Sequence, residues 1–116
     1  MNKKNILVLL IITFTIVIIL LNYSQIIIIN RFEFQPEEIN IEKGTRIYWI
    51  NIDLEEHNVT SNTMHDVAAK DQIIQIDISN DIGTLGIFSY KFTETGEFYY
   101  YCTIHPHMKG KIHIIN

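Results

Sequence analysis

One cysteine, Cys102, stands in 116 residues. A lone thiol excludes an internal disulfide framework and any cysteine-rich zinc or iron–sulfur site built by this chain alone. Proline occurs only twice, as Pro36 and Pro106, and there are no internal repeats or low-complexity tracts. Acid is missing from the first 25 residues, whose only charged side chains are Lys3 and Lys4. Base is scarce in the rest: seven Lys/Arg remain against thirteen Asp/Glu, a formal charge of −6. That balance argues against nucleic acid as a partner. The length allows one domain with one core.

What is present begins with an apolar run from Ile6 to Leu21 behind the two lysines. Sixteen residues make a helix of roughly 24 Å at about 1.5 Å per residue, a little short of the roughly 30 Å hydrocarbon layer. The run is long for a signal-peptide core, and Asn22, Tyr23, Ser24 and Gln25 offer no small-x-small cleavage pair. Residues 1–25 are therefore expected to be a signal-anchor segment. Lys3 and Lys4 would stay cytoplasmic and place residues 26–116 on the extracytoplasmic side.

From Ile26 onward, short apolar runs alternate with turn residues, the pattern of an all-β domain. The expected strands are Ile26 to Phe34, Glu38 to Ile41, Thr45 to Ile50, Asn58 to Thr60, Ile73 to Ile78, Gly86 to Phe92, Glu97 to Cys102 and Gly110 to Ile115. About eight short strands suggest a β-sandwich. Alternation along Glu97 to Cys102 puts Phe98, Tyr100 and Cys102 on one face and Tyr99 and Tyr101 on the other. Trp49, Tyr48 and the three tyrosines read as packing rather than an electron-hopping chain. Ser61 to Gln72 carries no clear period.

The chemistry lies near the end of the chain, in Cys-Thr-Ile-His-Pro-His-Met. Cys102, His105 and Met108 recur every third residue on a short loop that Pro106 stiffens. Thiolate and thioether favour copper over magnesium or calcium, and imidazole suits both copper oxidation states. His57, after the strand Thr45 to Ile50 and an acidic turn of Asp53, Glu55 and Glu56, is the candidate for a second imidazole. Two histidines, one thiolate and a weak axial methionine form the donor set of an electron-carrying copper site. Cys102, Met108 or either histidine alone would read as a buried thiol, core filler or surface imidazole, so the joint spacing carries the assignment. His107 is expected to face solvent, as is His113 on the last strand. Met64 and His65 could form a weaker copper contact but read first as surface residues. The three acids read as a solvated turn, able to steer a basic partner.

With these residues in view, Phe32 to Ile115 resembles a cupredoxin, a Greek-key β-sandwich with a type 1 blue-copper site, nearest to amicyanins and plastocyanins. The resemblance rests on FEFQPEEINIEKG, RIYWIN, HNV and GEFYYYCTIHPHMKGKI, in that order. It implies that His57, Cys102, His105 and Met108 bind one copper ion. It also implies that Asn58 ties the two ligand loops together near Thr103. His107 departs from the amicyanin loop, where an apolar residue is usual, and makes the surface beside His105 more polar.

The expected function is one-electron transfer between redox proteins outside the cytoplasm, with no small-molecule substrate and no enzymatic step. The alternative is copper delivery or buffering, suggested by Met64, His65 and His107. A copper oxidase or nitrite reductase would need further histidines for a second copper, and a binuclear copper centre would need a second cysteine.

Overall fold

Isoleucine, valine and aromatic side chains dominate the segments that become strands, because branched and ring side chains pack well on a pleated surface. The computed structural model describes residues 1–22, 24–61 and 79–116. Among the described residues it contains one helix, α1 (Lys3–Asn22), and seven strands: β1 (Ser24–Asn30), β2 (Glu33–Gln35), β3 (Glu38–Glu42), β4 (Arg46–Asn51), β5 (Ile87–Lys91), β6 (Gly96–Tyr101) and β7 (Lys109–Ile115). The expected strand Ile73 to Ile78 lies outside the described residues, as do Met64 and His65.

Two sheets stack with their apolar faces inward, one in the order β2-β1-β4-β5 and the other β3-β7-β6. β1 pairs parallel with β4, from Ser24 opposite Arg46 to Ile29 opposite Asn51. β5 runs antiparallel and brings Lys91 beside Arg46. In the second sheet β7 is central, parallel to β3 and antiparallel to β6. The sandwich thus has two poles. At the α1 pole, Lys43 N–H donates to Ile115 C=O at 2.8 Å and Gly44 N–H to Phe92 C=O at 2.7 Å. At the opposite pole lie the end of β4, the end of β6 and the β1–β2 turn.

Alternation does the sorting: Ile27 and Ile29 of β1, Ile47 and Trp49 of β4, Phe98 and Tyr100 of β6, and Ile112 and Ile114 of β7 are all buried. Burial raises the Tyr100 phenol above its ordinary pKa, so it stays neutral in the core. Its ring lies on Gly110, where an added Cβ would fall 2.0 Å from the ring.

Two expectations need adjusting. Ile26 to Phe34 is a hairpin, not one strand: Arg31 and Phe32 both adopt left-handed backbone (φ 54° and 60°) and turn the chain between β1 and β2. Among the described residues, Asn58 to Thr60 carries a single bridge, Thr60 with Tyr101, next to that of His57 with Ile82.

α1 exceeds the apolar run at both ends. Its 20 residues measure about 30 Å as a helix, enough to match the bilayer core. The span Lys3–Leu21 is entirely unburied in the structure. The hydroxyls of Thr13 and Thr15 donate back to Leu10 C=O at 2.9 Å and Ile11 C=O at 2.8 Å, leaving neither in need of an outside partner.

Candidate metal centre

A strand end delivers each half of the site. β4 closes on Asn51, whose buried amide donates to Glu55 C=O and Ile82 C=O, both at 2.8 Å, and accepts from Asp53 N–H at 2.9 Å. These three bonds curl the loop after β4 so that His57 turns inward, fully buried. β6 ends at Tyr101 and hands over to Cys102, also fully buried on the Phe98 and Tyr100 face. The following loop closes on itself: Met108 N–H donates to His105 C=O at 2.9 Å and Cys102 N–H to Met108 C=O at 3.2 Å. Met108 is buried beneath it, while His105 is half-exposed.

Nδ1 of His57 lies 3.2 Å from Nδ1 of His105 and 3.9 Å from Sγ of Cys102. One donor atom from each of the three residues falls within 4.8 Å of the others. Nε2 of His57 faces the Asp53 carboxylate at 2.8 Å, which places the proton on Nε2 and leaves Nδ1 with a lone pair directed at its neighbours. Lone pairs converging in a dry pocket call for a cation. One ion with metal–nitrogen bonds of about 2.0–2.1 Å and a metal–thiolate bond of about 2.3 Å fits between donors so spaced. Thiolate and imidazole suit copper among the candidates, and Met108, buried in the same loop, carries a thioether.

Asn58 holds the halves together. Its Oδ1 accepts from Thr103 N–H at 2.9 Å and from the Thr60 hydroxyl at 3.0 Å. Its Nδ2 lies 2.7 Å from the Thr103 hydroxyl oxygen and 3.1 Å from the Asp81 carboxylate. Its backbone N–H points at Cys102 Sγ at 3.5 Å. The tie expected between Asn58 and Thr103 is therefore present.

Asp53 and Phe32 were not expected to belong to the site. Asp53 is not a freely solvated turn residue. Its carboxylate accepts from Arg31 N–H at 2.6 Å and Phe32 N–H at 2.9 Å as well as from His57. Burial works against its charge, but the Phe32 and Arg31 N–H groups and the His57 imidazole together hold its pKa below the ordinary value. Glu55 and Glu56 are exposed, as expected. The turn that Asp53 clamps sets the Phe32 ring edge-on to both imidazoles, with centroids 5.5 Å from His57 and 4.9 Å from His105. The Asp-x3-His spacing was a usable signal for Asp53; nothing local marked Phe32, whose place depends on a turn built from 21 residues away. His107 is exposed, as expected. His113 sits on the outer sheet face between Glu38 (2.6 Å) and Glu97 (3.0 Å), clear of the copper-type cluster.

Comparison with known proteins agrees with this geometry. The family model described as copper binding proteins, plastocyanin/azurin family, matches residues 22–115. Amicyanin-alpha of Methylorubrum extorquens is 34% identical over 84 residues, covering 72% of this chain and 66% of the relative. Amicyanin of Paracoccus denitrificans is 28% identical over 86 residues, covering 72% and 60%. The chain thus spans somewhat less than two thirds of the length of these curated relatives. Among solved structures, the oxidised state of an amicyanin variant superposes with a TM-score of 0.67 at 25% identity, covering 81% of this chain and 84% of the other. The crystal structure of amicyanin from Paracoccus versutus also gives 0.67, at 24% identity and 79% and 81% coverage, which speaks for the fold.

Proposed function

Since the chain belongs to the copper-binding plastocyanin/azurin family, we propose that it is a one-electron carrier whose single copper is held by His57, Cys102, His105 and Met108. The observation that carries this reading is the convergence of two imidazole Nδ1 atoms and one thiol sulfur within 4.8 Å, in a family defined by copper binding. Copper, when bound, supplies a one-electron couple between Cu(II) and Cu(I).

The protein's own residues do the rest. His57, Cys102 and Met108 lie inside the sandwich and exclude water, which keeps the surroundings of the site unchanged between states. Asp53 fixes the His57 tautomer, and the Asn58 N–H directed at Sγ withdraws charge from the sulfur. His105 alone of the four reaches the surface, so electrons would pass through its outer edge. Rigid loops serve a carrier because little moves when the charge changes. Copper delivery would favour ligands open to exchange, and fully buried Cys102 and His57 suit retention better; Met64 and His65 lie outside the described residues. We read the chain as a carrier rather than an enzyme, exchanging electrons with redox partner proteins.

Residues 1–25 serve in this reading as a membrane anchor and residues 26–116 as the copper domain on the extracytoplasmic side. The support is a helix long and apolar enough to span, with Lys3 and Lys4 at its start.

The test is the visible and electron-spin-resonance spectrum of the protein loaded with Cu(II), beside a Cys102→Ala control. An intense thiolate-to-copper band with narrow copper hyperfine splitting, both lost in the control, is the expected result. An ordinary, weak Cu(II) spectrum that the control leaves unchanged would refute the site.

A further inference from the structure

β1 carries four isoleucines in a row, Ile26 to Ile29. Ile27 and Ile29 fill the core, so the alternation of the strand turns Ile26 and Ile28 outward. Pairing with β4 sets Ile26 beside Tyr48 and Ile28 beside Ile50, and β5 adds Ser89 and Ile87 to the same two rows. On the other side of β1, Gln35 of β2 borders Ile28. A strand apolar on both sides is the pattern of a sheet covered on both faces. Yet Ile26 is 53% exposed and Ile87 63% exposed, with Ile28, Tyr48 and Ile50 half-buried between them.

The outer face of the other sheet is built differently. There His113 pairs with Glu38 at 2.6 Å and with Glu97 at 3.0 Å, and Lys111 with Glu97 at 3.7 Å. The exposed apolar face belongs to the β2-β1-β4-β5 sheet. Towards α1 its next row is Ser24, Arg46 and Lys91. Arg46 Nη1 donates to the Ser89 hydroxyl at 3.1 Å, which lays the guanidinium along the face. In the four strands of this sheet the one acid is Glu33, at the corner farthest from α1.

Apolar side chains, a tyrosine and two flanking cations suit the boundary between lipid chains and anionic headgroups. They do not suffice for a second copy of the chain. Three strands about 4.8 Å apart and three outward rows about 6.6 Å apart cover roughly 300 Å², against about 800 Å² per partner in a standard interface. We propose that this face lies on an anionic bilayer surface, with Ile26, Ile28, Ile50 and Ile87 against the lipid and Arg46 and Lys91 on the headgroup phosphates. The inference rests on the anchor reading of the preceding subsection. Only Tyr23 stands between α1 and β1, and so short a tether keeps the face near the lipid whatever its conformation. β1 then runs along the membrane, and the site pole opens sideways, towards partners at the same membrane.

The test uses the full chain in phosphatidylcholine vesicles containing phosphatidylserine, with a quencher on the lipid chains just below the headgroups. Cys102 is fully buried, so a maleimide dye reaches only an introduced thiol, Gln35→Cys on the apolar face or Asn40→Cys on the outer face of the other sheet. Quenching is expected to be at least threefold stronger at position 35 than at position 40. Omitting phosphatidylserine is expected to halve that ratio or more. Adding Ile26→Glu/Ile87→Glu, at two exposed positions, is expected to bring the two labels level while the chain still floats with the vesicles. Equal quenching at both positions in a chain that floats and lacks these two changes overturns the proposal alone. A chain that does not float removes the anchor reading and the proposal with it. A ratio that the double variant leaves unchanged overturns the contact of these side chains with lipid, and one indifferent to phosphatidylserine overturns the part given to Arg46 and Lys91. Energy transfer between chains labelled with donor and acceptor at position 35, without lipid quenching, puts a second copy on the face and overturns the lipid as its occupant.

Discussion

Nε2 of His57 lies 2.8 Å from Oδ2 of Asp53. This pair links the deepest imidazole to the turn that positions Phe32, through one carboxylate with three donors. Replacing Asp53 with Asn keeps an acceptor for His57 but removes the negative charge that favours the higher oxidation state. Copper affinity is expected to fall about tenfold or more, as for other partners of ligating histidines, and the reduction potential to rise. Titration calorimetry and voltammetry of the two proteins check both.

Asn58 is buried and engages both loops through its side chain. Asn58→Ala leaves Thr103 N–H without its acceptor. An intramolecular hydrogen bond contributes about 0.5–1.5 kcal/mol net and the Asn58 side chain makes several, so chemical denaturation of the copper-free protein should show a loss of at least that order.

Gly110→Ala would drive a methyl group into the Tyr100 ring, with 2.0 Å between Cβ and the nearest ring carbon. Backbone on one side and a packed aromatic core on the other leave no easy retreat. Overpacking of this kind costs about 1–3 kcal/mol, sometimes more. The midpoint of thermal unfolding is expected to drop, with a partial return in the Gly110→Ala/Tyr100→Leu double variant.

Glu97 offers a pH test on the outer sheet face. The Tyr99 hydroxyl donates to it at 2.5 Å and, with Lys111 and His113 nearby, holds its pKa below the ordinary value against a smaller effect of burial. A depressed carboxylate pKa means that the unfolded chain binds more protons than the folded one between the two pKa values. The contribution of Glu97 is therefore complete above its unfolded pKa of about 4.3 and is lost as pH falls through the folded value. Glu97→Gln should flatten the acid limb of the stability profile, read from chemical denaturation at a series of pH values.

Much of this was legible in the residues themselves. Period-two alternation exposed β4, β6 and β7, since each has one face on the core, and the Cys102–His105–Met108 spacing marked out the loop that carries one half of the candidate site. The other half was harder. His57 could be named as the fourth partner, but Asn51, which curls its loop inward, looks like any polar strand end. The clamp of Asp53 on Arg31 and Phe32 needs two segments that only the fold brings together. Residues 31 and 32 hid the β1–β2 turn for a related reason: neither is glycine, asparagine or aspartate, the usual left-handed residues. An acceptor elsewhere in the chain supports their backbone instead.

β7 occupies the middle of its sheet, between β3 and β6, and the Cys102–Met108 loop is fixed only when that strand is in place. During synthesis, β6 and Cys102 emerge before the strand that closes the loop behind them. A thiol made early thus waits for its setting, and the last of the seven strands to be synthesised completes the pocket. The donors of His57, Cys102 and His105 therefore come within reach of one ion only after the sandwich has closed.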